Sequence, residues 1–469
     1  MAEKEKKELI IIGAGPGGYA AAFRAADLGI KVTLIDPEVN PGGVCLYRGC
    51  IPSKALLHLS QVKQEAEKAA EWGLKFEEPE IDLKKIRKWK ESVVKKLTQG
   101  LGQLSKSRKV EYIKGHAYFK SDEILVVEPG DGEKTEMGFE NIILATGSEN
   151  ISLPGVEIDH KYILDSTDAL ELKEIPESLL VIGGGYIGLE MGSVYAALGS
   201  KVSVAEMTAG FLPGADRDLV KVFEKEQPFE ELYFSTKVEK LELKDKKVQV
   251  KLKPEDGKAQ EKKFDKVLIA IGRQPQTKSL KLENCGLETN SDGFIEVDSK
   301  RRTGKKNIFA IGDLTGEPLL AHKATHEGRV AAEAIAMDDG AAYDPRSIPA
   351  IVFTNPQIAW CGLTSGEAKE KEMQVEILKF PWSASGRAVA IGQPNGITKL
   401  IVEKETGRIL GGAVAGYNAG NMIMEISLAI EMAATAEDIA LSIHPHPTLS
   451  ETIMEAAEIY SSSPTHISR

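Results

Sequence analysis

The 469-residue chain contains only four cysteines, few aromatic residues and no long apolar run. Four cysteines do not form the dense disulfide framework of a small secreted scaffold, and no stretch of about 18 apolar residues is present to cross a membrane. The net charge of −11 offers no basic surface to a phosphate backbone, so nucleic acid is not an expected partner. The first twenty residues lack the apolar segment of a signal peptide. Together these absences predict a protein of the reducing cytoplasm.

The length exceeds what one hydrophobic core usually organises, because cores stop growing at about 250 residues. We therefore expect about two to four domains. The composition, 42% hydrophobic and 28% charged residues, is typical of a globular protein rather than a disordered one.

A glycine-rich segment follows the first β-branched run of the chain. ELIII precedes GAGPGG, which is followed by a small-residue helix pattern and the strand-like KVTLID. In such a strand–turn–helix–strand unit, the first glycine permits a tight turn, the second lets a pyrophosphate approach, and the third brings the helix close to the sheet. We assign these roles to Gly13, Gly15 and Gly18. Asp36, at the end of the second strand, would accept hydrogen bonds from a ribose.

The same unit occurs a second time and ends at Glu206, its acidic residue. Gly183, Gly185 and Gly188 take the glycine positions, and the spacing from first glycine to acid is 23 residues in both units. We call these units the first and second cradle. One GxGxxG is a weak signal, but its repetition with strand, helix and acid predicts two bound dinucleotides rather than two empty turns. Glu206, with no arginine in the following MTAGF, favours NAD over NADP, because a carboxylate repels a 2′-phosphate.

Two of the four cysteines, Cys45 and Cys50, lie in the segment GGVCLYRGCIPSK. On an ideal helix, residues five apart point about 140° away from each other, and their Cα atoms lie beyond disulfide reach. A close pair therefore requires a bend, which Gly49 and Pro52 would allow, and a helix N-terminus there would stabilise a thiolate. Two unlinked thiols or half of a zinc site are the alternatives, although the other two cysteines have no ligand at zinc-site spacing. Beside two dinucleotides, the pair suggests a relay of two electrons between nicotinamide, flavin and disulfide.

Further motifs follow in the order found in a known family: ATGS (Ala145–Ser148), AIGRQP (Ala270–Pro275), FAIGD (Phe309–Asp313) and AHKATHEG (Ala321–Gly328). With the cradles and the cysteine segment, they resemble the pyridine nucleotide-disulfide oxidoreductases over nearly the whole chain. FPWSASGRA and HPHPTLSE are most similar to the members that reoxidise protein-bound dihydrolipoyl groups. The resemblance implies FAD in the first cradle, NAD in the second, and a homodimer. The implied partners are lipoylated proteins of 2-oxo acid dehydrogenase complexes or of the glycine cleavage system.

The resemblance also implies a role for each residue of the cysteine segment. Cys45 would be the interchange thiol, which attacks or is attacked by the dithiol substrate. Cys50 would be the charge-transfer thiol beside the flavin. Lys54 would pair with Glu190 near the reactive nitrogen of the flavin, although a lysine on a helix is more often simply solvated.

Around the cofactors, the resemblance places two groups of residues. The FAD group consists of Gly13, Gly15, Gly18, Asp36, Lys54, Gly147 and Asp313. The NAD group consists of Gly183, Gly185, Gly188, Glu190, Glu206, Gly272 and Arg273.

HPHPTLSE, near the C-terminus, contains a candidate proton carrier. Thr448 and Glu451 have the spacing of a capping box, so Glu451 has a structural explanation as a helix-capping residue. The resemblance implies instead that His446 and Glu451 form the catalytic base, contributed by the partner subunit, with His444 as a structural neighbour. An imidazole suits proton transfer at a thiol near neutral pH, and a carboxylate behind it fixes the ring.

The predicted fold class is α/β, with two Rossmann-like dinucleotide-binding domains and a C-terminal α+β dimerisation domain. The expected division is residues 1–150 for FAD, 151–275 for NAD, 276–345 for a central segment completing the FAD site, and 346–469 for dimerisation. The run NMIMEISLAIEMAATAEDIA has the apolar spacing of an interface helix.

Three residues depart from the family pattern. Tyr47 and Arg48 stand between the cysteines, and we expect the Arg48 cation to lower a thiolate pKa. Pro228 predicts a break in a helix of the NAD domain.

Two other functions fit the same motifs less well. A reductase working in the opposite direction, like the glutathione or mercuric reductases, would use NADPH or carry a C-terminal cysteine pair. A non-catalytic flavoprotein would have lost Cys45, Cys50, His446 or Glu451, and all four are present.

Overall fold

The computed structural model describes residues 6–130, 132–337, 341–462 and 464–468, so the first five residues, which the signal-peptide expectation includes, lie outside it. Within its described residues, the first segment of the chain contains six strands and four α-helices. These are β1 (Lys6–Ile12), α1 (Pro16–Asp27), β2 (Val32–Asp36), α2 (Gly43–Arg48), α3 (Cys50–Lys68), α4 (Leu83–Ser107), β3 (Glu111–Phe119), β4 (Ile124–Pro129), β5 (Thr135–Leu144) and β6 (Ser148–Asn150).

A parallel sheet forms the core of this first segment. β1 pairs in parallel with β2 and β5, and β2 pairs in parallel with β3. The ELIII run is continuously apolar because both faces of β1 are covered: Leu9 and Ile11 enter one apolar cluster, and Ile10 and Ile12 the other. β4 joins β3 and β5 as an antiparallel strand.

The second segment repeats the strand–helix–strand arrangement. Its elements are β7 (Ile163–Leu164), α5 (Ser166–Glu171), β8 (Ser178–Ile182), α6 (Tyr186–Ala197), β9 (Lys201–Ala205), α7 (Arg217–Glu224), β10 (Glu231–Tyr233), β11 (Thr236–Lys244), β12 (Lys247–Pro254), β13 (Gln260–Phe264), β14 (Lys266–Ile269) and β15 (Arg273–Pro275). A parallel sheet has the order β10-β9-β8-β14-β7, and β11 to β13 form a separate antiparallel sheet. α7 ends at Glu224, ahead of Pro228, which confirms the predicted helix break.

Two connections link these segments. β6 and β15 form a two-stranded antiparallel sheet, so the chain enters the second segment and leaves it at the same place. β16 (Ile308–Ala310) then pairs with β5 and returns the chain to the first sheet. α8 (Ala321–Met337) packs on α1, where Gly328 permits close approach: a Cβ there would lie 2.4 Å from the Gly17 carbonyl oxygen.

The last segment is an antiparallel sheet covered by helices. Its elements are β17 (Ala350–Val352), β18 (Gln357–Gly362), α9 (Ser365–Glu370), β19 (Val375–Pro381), α10 (Gly386–Ala390), β20 (Ile397–Glu403), β21 (Ile409–Gly416), α11 (Ala419–Glu431), α12 (Ala436–Ala440) and α13 (Glu451–Glu458). The strand order is β17-β18-β21-β20-β19, with α11 against β18 and β21 and α13 against β19 and β20. The predicted fold class is thus confirmed.

A buried lysine joins the last segment to the second. The Lys399 side chain is only 1% exposed, and its Nζ lies 2.5 Å from Asp216 and 2.8 Å from Asp218, at the start of α7. Asp216 also accepts a 2.9 Å hydrogen bond from the backbone N–H of Ser365, which begins α9. Among the described helices, none is both long and apolar enough to span a membrane.

Candidate functional site

The two cradles are built by the same backbone contacts. Asp36 Oδ2 accepts a 2.6 Å hydrogen bond from the N–H of Ala14, and Glu206 Oε2 accepts one of 2.6 Å from Gly184. Each acidic residue therefore binds the loop of its own cradle, directly after the first glycine. Burial raises the pKa of the Asp36 carboxyl, against two backbone hydrogen bonds that lower it.

The first and third glycines are required by packing. Gly13 and Gly183 have φ of +98° and +110°, in the left-handed region that favours glycine. A Cβ at Gly188 would lie 2.2 Å from the carbonyl oxygen of Gly183, and one at Gly18 would lie 1.8 Å from that of Gly13. The expected close approach of helix and loop is present in both cradles.

The second glycine of each cradle faces open space. A Cβ at Gly185 would meet no atom within 4 Å, and one at Gly15 would meet only Gly43 Cα at 4.0 Å. Gly15 is the N-cap of α1 and Gly185 is the N-cap of α6. Backbone N–H groups at a helix start with free space above them fit a pyrophosphate.

A cavity of about 590 Å³ extends from the first cradle to the cysteine segment. Residues of both predicted cofactor groups share its wall. They include Gly13, Gly15, Asp36, Cys45, Cys50, Lys54, Gly147, Glu190, Arg273 and Asp313.

The cysteine pair lies across a break between two helices. Cys45 is in α2, Gly49 interrupts the helical backbone, and Cys50 is the first residue of α3, so the predicted bend is confirmed. Both are thiols, and their side chains are hydrogen-bonded to each other. That bond lowers the pKa of Cys50 to about 7, with the Lys54 charge acting in the same direction. It raises the pKa of Cys45, as burial does. Cys50 is thus the thiol that ionises first.

Lys54 and Glu190 form an ion pair in the wall of the cavity. Lys54 Nζ lies 2.8 Å from Glu190 Oε2 and 4.6 Å from the centre of the Phe353 ring. The Glu190 side chain is 4% exposed, and its other oxygen accepts a 3.0 Å hydrogen bond from the Phe353 N–H. The expected pairing is present, and Lys54 is not a simply solvated lysine.

Arg48 does not act on the thiols as predicted. Its guanidinium is paired with Glu38 at 2.6 Å, and its charge opposes the burial that raises the pKa of Asp36. The Tyr47 hydroxyl donates to the Asn40 carbonyl at 3.0 Å. The expectation for Arg48 was wrong, because Glu38, ten residues earlier in the chain, pairs with its guanidinium.

Arg273, expected on the NAD side, lies in the link between the first and second segments. Its Nε donates to Ser148 Oγ at 2.8 Å, and Ser148 Oγ donates to Asp313. Gly147 and Gly272 flank this link: Gly147 accepts a 2.8 Å hydrogen bond from the N–H of Gln276, and Gly272 has φ +125°. Arg273 therefore acts on the Asp313 carboxylate through Ser148, a residue that the sequence analysis missed.

Buried charged side chains bind the loop that carries Asp313 and hold it in place. Glu327 is fully buried and accepts a 2.6 Å hydrogen bond from the Gly312 N–H, while Lys323 donates to the Gly316 carbonyl at 2.9 Å. Arg301 pairs with Glu327 at 3.1 Å. This pair was not predicted from the sequence, although the i, i+4 spacing of Lys323 and Glu327 in AHKATHEG is a signal that could have indicated it.

His446 and Glu451 are bonded as expected, and Glu451 also accepts a hydrogen bond from the backbone of Thr448. His446 Nδ1 lies 2.8 Å from Glu451 Oε1, and the Thr448 N–H donates to Glu451 Oε2 at 2.7 Å. Thr448 is not the N-cap, because α13 starts at Glu451 and the Thr448 hydroxyl donates to the Pro445 carbonyl. The predicted capping box with Thr448 as N-cap was therefore wrong, whereas the expected His446–Glu451 bond is present and its catalytic role stays a prediction. His444 lies apart, bonded to Glu425 at 2.7 Å.

The His446–Glu451 pair is separate from the cavity that contains the two cysteines. His446 is 75% exposed on its side chain, and it is not among the described residues that line the cavity. Within one chain, the cavity is thus lined by the dithiol, Lys54 and the first cradle, while the candidate base lies on an outer surface.

Two nucleotide cradles, with a thiol pair in the cavity that begins at the first of them, define a dinucleotide-dependent disulfide oxidoreductase architecture. Residues 7–328 match the pyridine nucleotide-disulphide oxidoreductases, and residues 348–457 match the dimerisation domain of that family. The chain belongs to this family.

Full-length relatives and solved structures agree with this assignment. The chain is 49% identical to a dihydrolipoyl dehydrogenase of Vibrio parahaemolyticus, over 100% of this chain and 98% of that one. It is 46% identical to a dihydrolipoyl dehydrogenase of Geobacillus stearothermophilus, over 98% and 97%. The crystal structure of LpdA from Mycobacterium tuberculosis superposes with a TM-score of 0.89 at 27% identity, over 97% and 99%. The flavoprotein disulfide reductase RclA of Escherichia coli superposes at 0.85 with 29% identity, over 96% and 99%.

We expect Lys54→Met to raise the pKa of Cys50 above its value of about 7, because the thiolate loses a stabilising cation. The rise should be about one pH unit. It is measured as the midpoint of the pH dependence of Cys50 alkylation in reduced protein, followed by peptide mass spectrometry. Arg48→Val is the control and should leave the midpoint unchanged. A shift with Arg48→Val but not with Lys54→Met would contradict the assignment.

Gly188→Ala and Gly185→Ala should separate packing from nucleotide binding. At Gly188 the added methyl meets the Gly183 carbonyl oxygen at 2.2 Å. Overpacking of this kind costs about 1–3 kcal/mol and should lower the Tm. At Gly185 the methyl meets nothing within 4 Å, so Tm should hold while NAD⁺ affinity, measured by calorimetry, falls. Equal losses of Tm would show that both glycines serve packing.

Proposed function

We propose that the protein oxidises protein-bound dihydrolipoyl groups to the lipoyl disulfide, with FAD in the first cradle and NAD⁺ in the second. The observation that carries this proposal is the placement of Cys45 and Cys50 on the wall of the cavity that begins at the first cradle. The full-length similarity to dihydrolipoyl dehydrogenases supports the dithiol substrate.

The residues around the first cradle fit FAD. Asp36 would bind the adenosine ribose and Asp313 the ribityl chain, with Gly13, Gly15 and Gly18 at the pyrophosphate. Lys54, paired with Glu190, would place its charge beside the ring of FAD that accepts the electrons. When bound, FAD supplies the acceptor for two electrons from the dithiol, and NAD⁺ supplies the final hydride acceptor.

The second cradle fits NAD rather than NADP. Glu206 would meet the ribose hydroxyls, and a carboxylate there repels a 2′-phosphate. Arg217 does approach the following loop at Gly210. However, its guanidinium is paired with Glu224 at 2.7 Å and donates to the Phe211 carbonyl, so it is not free to receive a phosphate.

The sulfur chemistry starts from a Cys45–Cys50 disulfide. His446 takes the proton of one substrate thiol, and the thiolate attacks Cys45 Sγ, which breaks the Cys45–Cys50 bond and releases Cys50 as a thiolate. The second substrate sulfur, after losing its proton to solvent, attacks the first. The lipoyl disulfide closes, and Cys45 leaves with the proton held by His446. Two electrons have then passed from substrate to the cysteine pair.

Glu451 prepares His446 for this step. Although burial opposes ionisation, the Thr448 N–H and His446 hold the pKa of the Glu451 carboxyl below its usual range. The carboxylate binds Nδ1, so Nε2 is the atom left to accept the thiol proton.

The base would come from the second chain of a homodimer. An apolar stripe of Met424, Leu428 and Met432 follows one face of α11 to its C-cap, Met432, and each of the three is at least 55% exposed. Leu441 and Ile443, just ahead of the histidine pair, are 76% and 100% exposed. A second copy covering this surface would bring its own cysteine cavity to His446.

The remaining assignments follow from this function. The domain division at residues 150, 275 and 345 is supported by the neighbouring β6–β15 link and by the start of the last sheet. The physiological partners would be lipoylated proteins of 2-oxo acid dehydrogenase or glycine cleavage complexes. Buried free thiols at Cys285 and Cys361 suit the reducing cytoplasm.

Anaerobic titration with dihydrolipoamide tests the reaction. The purified yellow protein should develop a long-wavelength charge-transfer band, and this band should disappear as NADH forms on addition of NAD⁺. Cys50→Ser should abolish the band, because its thiolate is the donor. A flavin unchanged by dithiol, with turnover of NADPH and another disulfide, would refute the dihydrolipoyl assignment.

Mixed dimers test the two-chain site. Cys45→Ser and His446→Gln homodimers should each be nearly inactive. A heterodimer isolated with two affinity tags should recover about half of the wild-type rate, because one of its two sites receives an intact Cys45 and an intact His446. No recovery in a verified heterodimer would place both residues in the same chain.

A further inference from the structure

A second imidazole–carboxylate pair joins the C-terminal tail to α13 and has no part in the proposed sulfur chemistry. His466 Nδ1 is bonded to Glu455 Oε1, and the His466 N–H donates to Glu455 Oε2 at 3.3 Å. Glu455 is 4% exposed on its side chain, whereas His466 is 58% exposed. The carboxylate is thus buried in the fold, and the imidazole covers it from the outside.

This pair is one helical turn from the candidate base. Glu451 and Glu455 are four residues apart on α13, so their side chains share a face of the helix and are neighbours. Each carboxylate binds a histidine through Nδ1. α13 therefore presents two histidine–carboxylate pairs in adjacent turns.

Further contacts hold the tail that carries His466 along the helix. The N–H of Thr465 donates to Glu458 at 3.3 Å, and Ile467 packs against the apolar cluster of the last segment. The position of His466 is thus set by contacts on both sides of it.

We propose that His466 is a positioning residue for the His446 base: as an imidazolium on Glu455, it favours the ionised Glu451 carboxylate that orients His446, and it opposes a second positive charge on the His446 ring. This inference rests on the proposed function, in which His446 takes the thiol proton. A positive charge one turn away stabilises the Glu451 carboxylate and disfavours a second positive charge on His446.

The charges around the pair have the required signs. Glu455, with smaller contributions from Glu451 and Glu458, raises the pKa of His466, so its imidazolium persists to higher pH than that of an isolated histidine. The His466 charge in turn contributes to the lowered pKa of Glu451.

The elements packed against α13, which are β19, β20 and α12, contain further charged residues. Lys379 and Lys399 are paired with Asp216 and Asp218, and Asp438 caps α12 through Thr435. The remaining acidic residues on β19, β20 and α12 are Glu376, Glu403 and Glu437.

The test compares His466→Gln, which removes the charge, with His466→Lys, which retains one. For His466→Gln, the acidic limb of the pH profile of kcat/KM for dihydrolipoamide should move up by about half a pH unit. His466→Lys should return the limb toward the wild-type position. Thr465→Val loosens the tail without changing its charge and should leave the limb in place. A Gln profile that superposes on wild type, or an equal shift with Thr465→Val, would overturn the inference.

A direct titration separates this inference from the proposed function. NMR of isotope-labelled histidine in the homodimer reports the pKa of His446 without turnover. That pKa should rise in His466→Gln and not in Thr465→Val. If wild-type protein fails to oxidise dihydrolipoamide, the proposed function fails, while the NMR shift still tests the coupling. If turnover is normal and the His446 pKa is the same in all variants, only the coupling fails.

Discussion

One buried carboxylate, that of Glu190, touches all three parts of the molecule. It belongs to α6 of the second segment, it receives Lys54 from α3 of the first, and it accepts the Phe353 N–H from the last. Removing one partner of a buried ion pair costs about 3–5 kcal/mol, because a charge is left without compensation. The same contact holds Lys54 where it lowers the pKa of Cys50. The chemistry of the thiol pair therefore depends on the packing of segments that are far apart in the chain.

The two cradles are built by the same local arrangement of strand, loop and helix. In both, an acidic residue at the end of the second strand binds the loop after the first glycine, and the third glycine lets helix and loop approach. Their surroundings differ. The first cradle continues into the cysteine segment and is completed by the loop of Asp313, which Ser148 and Arg273 hold. Because Arg273 lies in the β6–β15 link, the position of the second segment and the orientation of Asp313 are set together.

The His446–Glu451 pair and the Cys45–Cys50 pair are positioned by different parts of the fold. Cys50 owes its lowered pKa to Cys45 and Lys54, whereas His446 owes its orientation to Glu451 at the start of α13. Neither group reaches the other within one chain, since His446 does not belong to the described cavity lining. Association of two chains is then a chemical requirement of the proposed reaction as well as a means of covering the exposed apolar stripe on α11.

The sequence by itself determined the features that depend on neighbours along the chain. Glycine spacing, the strand-terminal acids Asp36 and Glu206, the break at Gly49 and the helix end before Pro228 follow from backbone sterics and short-range hydrogen bonding. It also led, through family resemblance, to the Lys54–Glu190 and His446–Glu451 pairs. Only the tertiary structure decided which charges meet: Arg48 binds Glu38 rather than the thiols, Arg273 binds Ser148 rather than the second cradle, and His466 returns to Glu455. The physical reason is that a long charged side chain can reach any of several opposite charges, and its choice depends on where the fold brings distant segments together.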